Sequence, residues 1–373
     1  MSAADRPAAN SRPIATASQV YTWEPSNAAI AARYGLRPDQ ILRFDTNTSP
    51  APPEFVARVL ERGFDPPLNE YPDSSYAELT EAAAEYVAAA VDEVIVGAGA
   101  DELLDMVTKA FLPAGGAALV PVPTYSMYGV LTSQRAARIV AVPRLSADAG
   151  YGLDLAAIRA RLAEVSVVWL CSPNNPTGAA DSRAELENVA EAAASLPDPP
   201  MVVVDEAYFE FGGETVIDWR ARFRNLIVLR TLSKAFALPG IRVGFGVATR
   251  DVIARLERVR PPGSISTISA LLASEALRRP ELAMENVQRV TAERAWLSGR
   301  LTDAGRPPAP SVTNFLLLRI GDHEAAEAEA ERLLRSGIVP RTFGPANPLR
   351  GHLRLTVRSR TENERLLEVI RGV

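Results

Sequence analysis

Of the 40 basic residues in this chain only two, Lys109 and Lys234, are lysines; the rest are arginines. A guanidinium stays charged and is no nucleophile, whereas an amine that is desolvated or set beside other cations can lose its proton and form a Schiff base. Lys234 stands in Arg230-Thr-Leu-Ser-Lys234-Ala-Phe-Ala-Leu-Pro-Gly240-Ile-Arg242 and is the candidate nucleophile. Lys109 follows Asp105 by four residues in a helical stretch, where an ordinary surface ion pair accounts for it.

Three further polar groups come directly after strand-like runs. Val202-Val203-Val204 ends in Asp205-Glu206-Ala207-Tyr208, which is either a functional carboxylate or a helix cap. Val167 to Leu170 leads into Ser172-Pro173-Asn174-Asn175-Pro176-Thr177-Gly178, a rigid turn that presents an amide or serves only as a turn. Val94-Ile95-Val96 runs into Gly97-Ala98-Gly99-Ala100-Asp101-Glu102 and then a helix. Glycines before a helix N-terminus make a phosphate cradle, since free N–H groups and the helix dipole favour an anion. The Asp-Glu pair there also reads as plain N-terminal capping.

These groups need a frame. Ala-rich stretches with helical spacing cover Tyr76 to Ala90, Asp154 to Ala163, Arg183 to Ser195 and Glu281 to Leu301. Between them lie short apolar runs: Val94 to Val96, Ala118 to Val120, Val167 to Leu170, Val202 to Val204 and Leu226 to Leu229. Strands that are apolar on both faces fit a mostly parallel, doubly wound α/β sheet covered by helices on each side. Ligands of such sheets gather outside the carboxyl ends of the strands. Residues 1–44 read as an N-terminal arm and 45–262 as the large domain. Arg260-Pro261-Pro262-Gly263 closes it, because adjacent prolines cannot continue a helix. A smaller α+β domain, 263–373, then holds two long helices, strands at Phe315 to Arg319 and His352 to Val357, and a closing helix over Glu362 to Ile370.

Composition narrows the function classes. The net charge of −5, with basic residues dispersed, argues against nucleic acid or an anionic membrane as partner. The single cysteine, Cys171, excludes an intramolecular disulfide, fits a reducing cytosol, and reads as a small core residue. Two histidines leave no basis for a histidine zinc site and little for a Ser-His-Asp triad, so no metal is expected. No apolar run reaches the roughly 18 residues of a membrane span. Met1 to Ser18 lacks the apolar core of a signal peptide.

Taken in order, the motifs resemble the fold-type I pyridoxal-phosphate (PLP) aminotransferases of class I/II, and the histidinol-phosphate aminotransferase family most of all. The resemblance runs from Leu42 to the C-terminus and is most specific in Ser172 to Gly178, Asp205 to Tyr208 and Thr231 to Arg242. It implies that Lys234 holds PLP covalently and, once released, moves the substrate's Cα proton. Asp205 would keep the pyridine nitrogen protonated, Tyr208 and Asn175 would hydrogen-bond the ring's phenolic oxygen, and Tyr125 would stack on the ring. The cofactor phosphate would meet the N–H groups of Ala100 and Asp101, the hydroxyls of Thr231 and Ser233, and Arg242. Arg354 matches the carboxylate arginine, Arg341 the arginine for a substrate phosphate, and Asn47 a further substrate contact beside Asn175. Tyr71, in Asn69-Glu70-Tyr71-Pro72, matches a tyrosine that reaches the partner's cofactor, which implies a homodimer.

The expected activity is transfer of the amino group of L-histidinol phosphate to 2-oxoglutarate in the cytosol. Two departures keep alternatives open. Asp45-Thr46-Asn47-Thr48-Ser49-Pro50 lacks the acid of the family's N-terminal signature, and Arg358 follows Val357 where the family has glycine. The arginine is similar to that of threonine-phosphate decarboxylases, whose N-terminal His-Gly-Gly is missing here. An aromatic amino-acid aminotransferase would have no need of Arg341. A PLP-binding regulator would require a DNA-binding domain, and only residues 1–44 precede the sheet domain.

Overall fold

The computed structural model describes residues 24–50, 53–61 and 68–372. Most of the arm assigned to residues 1–44 therefore lies outside the described residues. Helix α1 (Asn27–Tyr34) begins at Ser26, whose side chain accepts the Ala29 N–H at 3.2 Å. Strand β1 (Leu42–Arg43) follows, then α2 (Phe55–Glu61), α3 (Ala77–Tyr86) and β2 (Val94–Gly97). Next come α4 (Ala100–Phe111), β3 (Ala117–Val122), α5 (Ser126–Gln134) and β4 (Arg138–Pro143). The remaining strands are β5 (Val167–Cys171), β6 (Met201–Asp205), β7 (Leu226–Thr231), β8 (Gly244–Ala248), β9 (Phe315–Arg319), β10 (Ile338–Val339) and β11 (His352–Thr356).

Seven of them form one sheet in the order β2-β8-β7-β6-β5-β3-β4. Only β8 runs against the others, so the carboxyl ends of β2, β5, β6 and β7 share one edge. Apolar side chains alternate between two cores, as strand geometry requires. Val168 and Leu170 enter one core with Leu79 of α3, while Val167, Trp169 and Cys171 enter the other with Leu103 and Leu104 of α4. Burial on both faces explains why the runs are apolar throughout, and it fixes the α/β architecture read from the sequence.

The five predicted strands of this sheet are all present. Two were not predicted: edge strand β4, whose outward residues are polar or exposed, and β8, where Gly244 and Gly246 dilute the apolar signal. Gly244 is required, since a Cβ would lie 2.8 Å from both the Ala100 nitrogen and the Arg230 oxygen. The helix expected over Tyr76 to Ala90 stops at Tyr86, with Ala88 at a φ of 51°. That expected over Asp154 to Ala163 divides into a helix at Leu155–Arg159 and a 3-10 turn at Leu162–Glu164.

Two small pairings complete the frame. β9 and β11 are antiparallel, and β1 lies parallel to β10, with Leu42 opposite Ile338. Beyond β1, the Thr356 N–H donates to the Phe44 carbonyl at 2.7 Å and the Asn47 N–H to the Thr356 hydroxyl at 2.9 Å. The 44–47 segment is thereby tied to β11 and carried across the carboxyl edge of the large sheet.

Candidate active site

At that edge lies a cavity of about 340 Å³. It brings together thirteen of the residues singled out in the sequence: Asn47, Ala100, Asp101, Tyr125, Asn175, Asp205, Tyr208, Thr231, Ser233, Lys234, Arg242, Arg341 and Arg354. Tyr71 is not among them; it is 96% exposed, away from its own chain's cavity.

Lys234 follows β7 and points inward, partly reached by solvent. Its Nζ donates to the Asn47 carbonyl at 3.2 Å and stands 5.5 Å from the centroid of the Tyr208 ring. Burial first, then the Arg354 guanidinium, push its amine down to about 8. Asp205 ends β6 and is buried; it accepts the Tyr128 hydroxyl at 2.7 Å and the Ala207 N–H at 3.0 Å. Burial raises its carboxyl to about 6 against the pull of those two donors.

Tyr208 is buried, and its hydroxyl accepts from Asn47 Nδ2 at 2.9 Å, which leaves the phenolic hydrogen free to donate. Burial lifts its pKa above the ordinary tyrosine value, so it stays protonated. The Asn175 Oδ1 accepts from Arg354 Nη1 at 2.6 Å, so its NH2 is what remains for a ligand. Arg354, alternating into β11, also donates to the Asp45 carbonyl, and burial pushes its guanidinium down to about 10. Its Nε is buried without a partner among the described residues. That orphaned donor adds to the desolvation cost of the buried cation.

An anion cradle is built from β2, α4 and β7. α4 is capped by Gly99, which has no side chain to satisfy the first N–H groups, and those of Ala100 and Asp101 border the cavity. A Cβ on Gly99 would approach Arg242 Nη2 to 2.8 Å. The Thr231 hydroxyl donates to Ser233 Oγ at 2.9 Å, and Arg242 Nη2 lies 3.4 Å from Asp101 Oδ2. Arg242 adopts a φ of 52°, a strained choice for a side chain with a Cβ.

Residues 40–370 match the family model of aminotransferase class I and II. The chain belongs to the class I and II aminotransferases. It is 35% identical over 332 residues to histidinol-phosphate aminotransferase of Thermoanaerobacter sp. strain X514, covering 87% of this chain and 91% of the relative. Among solved structures, it is similar to histidinol-phosphate aminotransferase of Sinorhizobium meliloti in complex with pyridoxal-5'-phosphate, with a TM-score of 0.86 and 25% identity over 98% of this chain and 99% of that one. L-threonine-O-3-phosphate decarboxylase of Porphyromonas gingivalis shares the fold, with a TM-score of 0.75 and 19% identity over 89% of this chain and 99% of that one.

Several residues in or behind this aminotransferase's cavity escaped the sequence reading. Tyr128 sits three residues beyond Tyr125 on α5, is fully buried, stacks on Trp169 with centroids 5.4 Å apart, and holds Asp205. A second tyrosine one helical turn further into the Tyr125-Ser126-Met127-Tyr128 motif was the available signal. Cys171 lies in the wall with its thiol pushed up to about 12 by burial, which makes it inert, as a core residue should be. Glu24, Phe343 and Asn347 also line the cavity, and no spacing pattern announced them.

Because the Tyr128 hydroxyl stabilises the charged form of Asp205, Tyr128→Phe should raise the Asp205 pKa in the cofactor-free protein by roughly one to two pH units. Isotope-edited infrared titration of the carboxyl reads this directly. An unchanged titration would show that the hydrogen bond contributes nothing.

Proposed function

We propose that the chain is a PLP-dependent aminotransferase that takes the amino group from L-histidinol phosphate and passes it to 2-oxoglutarate. The residues present fit PLP. An uncapped helix N-terminus, two hydroxyls and Arg242 suit its phosphate, Asp205 suits its pyridine nitrogen, and the free donors of Tyr208 and Asn175 suit its phenolic oxygen. Tyr125 stands over the ring position by resemblance; its hydroxyl donates to Asp101 Oδ1 at 3.0 Å, which fixes the ring's orientation. When bound, the cofactor supplies the electron sink that acidifies the substrate's Cα–H.

The chain supplies the rest. Lys234 would hold the cofactor and, when displaced, would offer a neutral amine that accepts and moves the substrate's Cα proton. Asp205 balances the positive charge on the pyridine nitrogen. Asn47 accepts from the Lys234 amine through its carbonyl and donates to Tyr208 through its amide, which links the two groups nearest the reacting carbon.

The observation that carries the choice of substrate is the pairing of Arg341 with Arg354. Their backbones exchange two hydrogen bonds, each of 3.0 Å, so both guanidiniums arise from one spot on the cavity wall. In L-histidinol phosphate a phosphorylated CH2OH group stands where an amino acid has its carboxyl. A phosphate carries close to two charges at neutral pH, which a second guanidinium balances. Arg358, the feature shared with the decarboxylases, is turned away from the cavity: it binds Glu362 at 2.7 Å and donates to the Arg43 carbonyl at 3.1 Å. Transamination is thus favoured over decarboxylation.

A homodimer follows from the same reading, with Tyr71 reaching the partner's cofactor; its almost complete exposure beside exposed Leu68 supports this. No helix among the described residues is long and apolar enough to cross a membrane. We place the enzyme in the cytosol, in histidine biosynthesis.

Two outcomes test these roles. With Lys234 near 8, its neutral fraction grows as pH rises, so the rate of covalent PLP capture by cofactor-free protein should climb through pH 8 and level off above it. Lys234→Ala should show neither capture nor turnover, and survival of either removes Lys234 from its role. Arg341→Ala should raise the KM for L-histidinol phosphate roughly ten- to hundredfold while changing that for phenylalanine far less. Equal losses would remove Arg341 from phosphate recognition.

A further inference from the structure

Arg341 does not face the cavity alone. Its Nη1 lies 2.6 Å from Glu24 Oε1, and both side chains line the cavity. The position of Glu24 is built into the frame. Arg43 Nη1 donates to the neighbouring Pro25 carbonyl at 2.8 Å and to Asn27 Oδ1 at 3.2 Å, while its Nε and Nη2 grip Asp45 at 2.8 and 2.7 Å. The Asp45 carbonyl in turn accepts from Arg354. One arginine at the end of β1 thus registers the Glu24 segment against the pocket that holds both substrate-facing guanidiniums.

The charge balance gives this contact a consequence. With the pair closed, Glu24 cancels Arg341, and the pocket offers the single net charge of Arg354, enough for a carboxylate. With the pair open it offers two, which matches a phosphate dianion. The side chains keep 31% (Arg341) and 28% (Glu24) of their exposure, so the pair is only partly desolvated. An ion pair this open to water is weak enough for an incoming dianion to displace. Glu24 stands just outside the N-cap of α1, which Ser26 caps, so its contact with Arg341 is no part of that helix cap.

We propose that Glu24 is the exchangeable counter-ion of Arg341 and sets substrate selectivity: it gives way to a phosphate dianion and stays in place when a carboxylate occupies Arg354. This rests on Arg341 being the arginine that meets the substrate phosphate. It adds that the same pocket switches its own charge between the two half-reactions, which carry differently charged groups to one place.

The test is inorganic phosphate binding to the holoenzyme by titration calorimetry, where the cofactor's own phosphate already fills the cradle at α4. Glu24→Gln keeps the shape and removes the competitor, and should tighten phosphate binding roughly three- to tenfold. Arg341→Ala should weaken binding, and adding Glu24→Gln to it should have no further effect. Weaker or unchanged binding in Glu24→Gln overturns the exchange, as does equal tightening with and without Arg341, or the absence of phosphate binding in every form. Failure of the substrate reading looks different. If the enzyme transaminates no phosphorylated donor yet Glu24→Gln tightens phosphate through Arg341, the exchange stands and L-histidinol phosphate falls. If L-histidinol phosphate is transaminated and the titration does not respond to Glu24→Gln, the exchange alone is wrong.

Discussion

An amine is a nucleophile and a base only when its proton is easy to lose, and the structure is organised around making Lys234 such an amine. Burial weakens its charged form, and the Arg354 guanidinium in the same cavity weakens it further. Two cations drawn from water into one pocket are costly unless their hydrogen bonds are satisfied. The Asn47 carbonyl accepts from Lys234, and the Asp45 carbonyl and Asn175 amide accept from Arg354. Asp101 and Asp205 return part of the lost stabilisation through their opposite charge. The uncapped start of α4, where Ala100 and Asp101 border the cavity, is what an anionic ligand would fill.

Two parts of the chain must meet to build this pocket. The large sheet brings Asp205, Thr231 and the Lys234 loop to one edge because β6 and β7 run in the same direction and end together. Arg354 comes from β11, about 120 residues later than Lys234 in sequence. The 44–47 segment joins them, bonded to β11 on one side and to Tyr208 and Lys234 on the other. The spacing between Lys234 and Arg354 therefore depends on backbone hydrogen bonds at Phe44 and Thr356.

The sequence made the sheet legible where strands are buried on both faces, since runs such as Val202 to Val204 have no polar residue to confuse the pattern. It concealed β8, whose glycines are there for close backbone approach, and β4, which alternates as an edge strand does. Within the site, polar residues that terminate apolar runs stood out, and so did a lysine in a chain of arginines. Tyr128 and Glu24 did not, for different reasons. The role of Tyr128 lies in its distance to a carboxylate 77 positions away, and that of Glu24 in a contact with a residue 317 positions away. Neither separation leaves a periodic trace. Arg358 kept an alternative open, being an unusual residue in its motif, and its side chain holds Glu362 and the end of β1.

In the proposed activity, one cavity performs amino transfer from a phosphate-bearing donor. Its most direct test is a single half-reaction. The holoenzyme is mixed with one equivalent of L-histidinol phosphate, without oxo acid, and the cofactor's visible spectrum is followed. Conversion of the cofactor to its amino form, reversed by 2-oxoglutarate, is the result this structure predicts. An unchanged spectrum, with carbon dioxide released when threonine phosphate is supplied instead, would contradict it.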